Sequence, residues 1–131
     1  LKAVATDREI VVRINSPGGS VFDGLAIYNL LAERRDKVTC KVIGLAASMA
    51  SVIALAGKKT TAAENATIMI HNPAAVAIGE SDDMREMADI LDKLQGTLAN
   101  VYVSKTGKPE ADVKAAMDST TWFTAQEAKE W

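Results

Sequence analysis

The chain alternates short β-branched runs with amphipathic stretches at helical spacing. Glu9-Ile10-Val11-Val12-Arg13-Ile14 predicts a strand, and Asn15-Ser16-Pro17-Gly18-Gly19-Ser20 after it is a turn cluster. Over residues 21–35, Phe22, Ala26, Ile27, Leu30 and Leu31 fall on one face while Glu33, Arg34 and Arg35 stay wet, which predicts a helix. Residues 38–43 read as a buried strand. The small-residue stretch Gly44-Leu45-Ala46-Ala47-Ser48-Met49-Ala50-Ser51 then predicts a turn, and Val52-Ile53-Ala54-Leu55-Ala56 a helix closed by Gly57. Residues 58–63 predict a short strand or connection. Thr67-Ile68-Met69-Ile70 predicts another strand, ending at His71-Asn72-Pro73.

Residues 74–80 read as a loop or extended segment. Ser81 is the predicted cap of a long helix running to about Ser104, with Asp82 and Asp83 in its first turn. Met84, Met87, Ala88, Leu91, Leu94, Leu98, Val101 and Tyr102 make its apolar stripe. So long a helix is expected to project and to pack against a neighbouring chain. Pro109 fits the first turn of a shorter helix reaching Met117, and Thr124-Ala125-Gln126-Glu127 has capping-box spacing for a last helix toward Trp131. Strands alternating with helices predict an α/β fold of parallel βαβ units.

Composition narrows the function without naming it. At 131 residues the chain is expected to be one domain with a real core, both of whose ends are cut. The apolar fraction of 48% and charged fraction of 24% are those of an ordinary soluble protein. A net charge of −2 gives no reason to expect nucleic acid or an anionic membrane as partner. No apolar run approaches the roughly 18 residues that span a bilayer. Cys40, the single cysteine, excludes an internal disulfide and suits a reducing cytoplasm. Its place within a predicted strand points to packing rather than reactivity. No Cys/His cluster offers a metal site, no cofactor is expected, and the Gly18-Gly19 loop lacks the P-loop pattern.

The candidate chemistry lies at strand ends. Ser48 sits between a strand and a helix, where the unpaired N–H groups of a helix N-terminus favour developing negative charge. It reads either as a nucleophile or as a plain N-cap. His71, the only histidine, ends a second strand, and ligands of open α/β sheets gather at such ends. The amides offered nearby belong to Met49 and the Gly18-Gly19 loop. No Gly-x-Ser-x-Gly elbow is present, which argues against an ordinary α/β-hydrolase.

Ile14-Asn15-Ser16-Pro17-Gly18-Gly19, Gly44-Leu45-Ala46-Ala47-Ser48-Met49 and Met69-Ile70-His71-Asn72-Pro73, in this order, resemble the Clp protease proteolytic subunit family. The tail Trp122-Phe123-Thr124-Ala125-Gln126-Glu127-Ala128 resembles that family's closing motif, and its Thr-Trp-Phe-Thr-Ala form is most similar to the phage and prophage branch, whose members can serve in capsid maturation. The resemblance implies a crotonase-like α/β subunit with a projecting handle helix over residues 81–104. It implies a seven-membered ring or double ring in the cytoplasm, a peptide or unfolded protein as substrate, and an AAA+ ATPase as possible partner. Ser48 falls on the family's nucleophile, His71 on its base, and Gly18 and Met49 on its oxyanion amides. Residues 74–79 fall where the family binds extended peptide. The family's triad acid falls on Thr120, with Asp118 the nearest carboxylate. Asp118, Thr120 or a main-chain carbonyl, or no group at all, could then orient the imidazole. Competing readings are a silent ring subunit, a crotonase-type acyl-CoA enzyme, and a membrane-bound peptidase with a serine–lysine dyad using Lys58 or Lys59, for which the sequence shows no anchor.

Overall fold

A computed structural model describes residues 8–131. The expectation concerning the start of the chain at Leu1 lies outside them. The fold is mixed α/β, in the order β1 (Ile10–Ser16), α1 (Val21–Ala32), β2 (Val38–Ala47), α2 (Met49–Ile53), β3 (Lys59–Ala62), β4 (Thr67–Ile70), α3 (Ser81–Thr106), α4 (Glu110–Asp118), β5 (Thr121–Thr124) and α5 (Ala125–Glu130). A 3-10 turn at Arg35–Lys37 joins α1 to β2.

β2 is the spine of the sheet. β1 runs parallel along one edge of it, while its other edge pairs first with β3 and then with β4, both parallel. β5 closes the sheet antiparallel to β4, from Thr67↔Thr124 to Ile70↔Thr121. Alternate side chains of β2 fill the core: Val38, Cys40 and Val42 have no exposed surface. Cys40 is a packing residue, as expected, and burial pushes its thiol pKa up.

Several boundaries differ from the sequence reading. Gly44 to Ala47 continue β2 instead of turning, because Leu45–Ala47 pair with Thr67–Met69. On the β1 side the register shifts here, and the Asn15 side chain fills the break by accepting the Leu45 N–H at 3.0 Å. A Cβ on Gly44 would stand 2.7 Å from that same Asn15 oxygen, so a larger residue would push the Asn15 side chain off the Leu45 N–H. α2 occupies Met49–Ile53, starting a turn earlier than predicted and ending before Gly57. Glu80, not Ser81, caps α3 in a reciprocal box with Asp83, and Pro109 is the cap of α4 rather than its first residue. β5 was not expected at all.

α3 spans 26 residues, about 39 Å at 1.5 Å per residue. Its buried residues, Leu98, Ala99 and Tyr102, all lie in the C-terminal half. The N-terminal half projects.

Tyr102 is 3% exposed and its hydroxyl meets Ser51 Oγ at 2.7 Å. Burial, only partly opposed by that bond, pushes its pKa up to about 12. The raised folded-state value means the protecting effect is complete below pH 10 and is lost as pH rises from 10 toward 12. Unfolding should therefore become easier across that window by about 3 kcal/mol. Denaturant melts of native protein should show the fall, and Tyr102→Phe should flatten it.

Candidate active site

β2 and β4 are parallel neighbours with Ala47 opposite Met69, so their carboxyl ends lie side by side. Ser48 follows one end and His71 lies just past the other. Ser48 N–H still donates to Met69 O at 2.9 Å, which locks the turn to the sheet. The backbone then leaves the strand abruptly, with Ser48 at φ 55, ψ −128. A non-glycine residue held at positive φ costs roughly 1–3 kcal/mol and persists only when its surroundings enforce it. Here the enforcing contacts come from Ser51, whose N–H and Oγ donate to the Ser48 carbonyl at 2.9 and 2.6 Å.

This geometry decides what the hydroxyl does. Ser48 occupies the cap position of α2, yet its side chain makes no capping bond. Instead its Oγ lies 2.8 Å from His71 Nε2. Ser48 and His71 are thus brought together, and the plain N-cap reading is excluded by the missing bond. The hydroxyl is available to give its proton to the ring.

The candidate anion-binding amides flank the same atom. Met49 opens α2, so its N–H has no partner within the helix. Gly18 lies directly against the turn: at φ +97, a Cβ there would stand 2.6 Å from Ser48 Cβ and 3.0 Å from Met49 N. Only glycine allows that approach. Its own N–H donates to Ser16 Oγ at 3.1 Å, so an oxyanion would have to displace the Ser16 hydroxyl from it.

Asp118 is not brought to the imidazole. α4 stays helical through Asp118, and its Oδ1 accepts from Asn72 Nδ2 at 2.8 Å and from Gln95 Nε2 at 3.1 Å. The irregularity that would have turned it toward His71 begins two residues later, where Thr120 adopts φ 50. Among the described residues His71 makes no hydrogen bond besides that to Ser48. Gln95 escaped the sequence reading. Its signal is a polar residue four positions after Leu91 and three before Leu98, within the apolar stripe of α3.

A mixed α/β fold with a serine and a histidine joined across the carboxyl ends of adjacent parallel strands defines the class. The family model for Clp protease matches residues 1–131, and the chain belongs to that family. It is 38% identical over 133 residues to an ATP-dependent Clp protease proteolytic subunit of Bacteroides fragilis, across 100% of this chain and 64% of that protein. The chain thus spans less than two thirds of that relative's length. No helix among the described residues is long and apolar enough to cross a membrane.

Proposed function

We propose that the chain is the catalytic unit, residues 1–131, of a serine endopeptidase that acts inside a ring-shaped oligomer. The observation that carries this reading is the 2.8 Å contact between Ser48 Oγ and His71 Nε2, made by a serine whose hydroxyl is withheld from capping. In the first step Ser48 Oγ attacks the scissile carbonyl carbon while His71 Nε2 takes the hydroxyl proton. The carbonyl oxygen becomes an oxyanion facing the Met49 N–H and the Gly18 amide. Collapse breaks the C–N bond, and the imidazolium returns its proton to the leaving amine. Water, deprotonated by the same ring, then attacks the acyl-serine and releases the acid.

Residues 74–79 support a peptide substrate. Val76 and Ile78 are 92% and 96% exposed on a segment without secondary structure just past His71, a surface that suits strand-like pairing with an unfolded chain. Assembly rests on α3, where Met84 and Ile90 are exposed on the projecting half. Family membership supports, as part of this proposal, seven-fold rings, singly or in pairs, an AAA+ ATPase partner and a cytoplasmic site. The Thr121-Trp122-Phe123-Thr124-Ala125 tail supports placement in the phage or prophage branch, with capsid maturation as the role. Among the described residues nothing meets the second ring nitrogen of His71, which favours one alternative, a ring subunit of reduced activity.

Gel filtration with a fluorogenic peptide assay on each fraction tests the proposal. Hydrolysis is expected to co-elute with a large particle, and Leu91→Asp with Leu94→Asp should shift the protein to monomer and abolish that peak. A native monomer, or a native particle with no hydrolysis, would contradict the compartmentalised peptidase.

A further inference from the structure

Three polar side chains close a ring beside the Ser48–His71 pair. Asn72 Nδ2 donates to Asp118 Oδ1 at 2.8 Å, and Gln95 Nε2 donates both to Asn72 Oδ1 at 2.8 Å and to Asp118 Oδ1 at 3.1 Å. The three come from different elements: the residue after His71, the last turn of α4 and the middle of α3. Asp118 stands at a helix C-terminus with no basic residue in the last turn, where the dipole disfavours a carboxylate. Two amide donors on one oxygen compensate for that placement.

Asn72 is gripped through both of its polar atoms, while Pro73 after it biases its backbone toward an extended conformation. Successive side chains of an extended chain point to opposite sides. A residue clamped on one side therefore fixes its neighbour on the other, and that neighbour is His71. Among the described residues, no hydrogen bond holds the ring except the one to Ser48 itself.

We propose that Asn72, Asp118 and Gln95 are positioning residues that hold His71 against Ser48. Asp118 acts through Asn72 and the backbone, not as the acceptor for the second ring nitrogen. This inference rests on the reading of Ser48 and His71 as the reactive pair, and its test separates the two.

His71 is the only histidine, so ¹⁵N spectra of its ring need no assignment. In native protein the Ser48 hydroxyl, donating to Nε2, should bias the neutral ring toward the Nδ1–H tautomer. Asn72→Asp sets a carboxylate against Asp118. It should erase the bias and slow labelling by a fluorophosphonate about tenfold or more, as expected for a misplaced catalytic group. Adding Asp118→Asn exchanges donor and acceptor and should restore both readouts to within about twofold of native, since one amide again faces one carboxylate. A native tautomer ratio and labelling rate in Asn72→Asp would overturn the proposal. So would failure of the exchange to recover either readout in a protein of native melting temperature. If the tautomer responds as expected while native protein is not labelled, the positioning role stands and the nucleophile reading fails.

Discussion

Ser48→Ala and His71→Ala are each expected to lower kcat for peptide hydrolysis by about 10⁴–10⁶-fold, and the double variant no further. The non-additivity follows from the geometry. The hydroxyl is a weak nucleophile until the ring 2.8 Å away accepts its proton, and the ring has nothing to activate once the hydroxyl is gone. Each deletion therefore removes the same step. Residual rate would come from the Met49 and Gly18 amides and from peptide binding alone. Both variants should stay folded, because each forfeits one part-buried hydrogen bond of about 1 kcal/mol. Initial rates on one fluorogenic peptide, with circular-dichroism melts as the folding control, check the set. Losses that multiply would mean that serine and histidine act independently.

Gly18→Ala should have the largest effect on folding and activity together. The added Cβ would meet Ser48 Cβ at 2.6 Å and the Ala47 carbonyl at 2.7 Å, atoms fixed by the β2 ladder and unable to yield. At φ +97 any side chain is also strained. The two costs, each roughly 1–3 kcal/mol, sum to about 4 kcal/mol. In a domain of this size that lowers Tm by about 15 °C. The loop must then move off Ser48, so peptide hydrolysis should fall even where the protein remains folded. Gly19→Ala is the internal control, since its Cβ would meet nothing within 4 Å. Equal melts for the two variants would show that the close approach is not structurally required.

The two strands that carry Ser48 and His71 were legible because both runs are β-favouring and both are followed by small or polar residues that favour turns. Parallel pairing then places them together without further information. What pairing overrides was not legible. Gly44 to Ala47 are small residues that read locally as a turn, and only their ladder to Thr67–Met69 makes them strand. β5 was hidden for the same reason. Thr121 to Thr124 lie between a helix end and a capping box, and it is Ile70, Met69, Ile68 and Thr67 across the sheet that draw them out. The partner of Asp118 was less accessible still. Pattern locates elements and their faces, but a carboxylate bonded to Asn72 and Gln95 depends on how α3, α4 and β4 meet, which no local spacing records. The motif match to Thr120 placed a vacancy where the family has its acid. The fold puts that threonine at φ 50, exposed, with its backbone N–H donating to the Met117 carbonyl at 3.1 Å.

The central claim is that His71 makes Ser48 a nucleophile, and covalent labelling tests it most directly. Native protein treated with a fluorophosphonate should gain one adduct per chain by intact mass, and peptide mapping should place it on Ser48. His71→Ala should gain it at less than about a hundredth of the native rate, the lower range for loss of a general base. An adduct on another residue, or equal labelling of native protein and His71→Ala, would contradict the account.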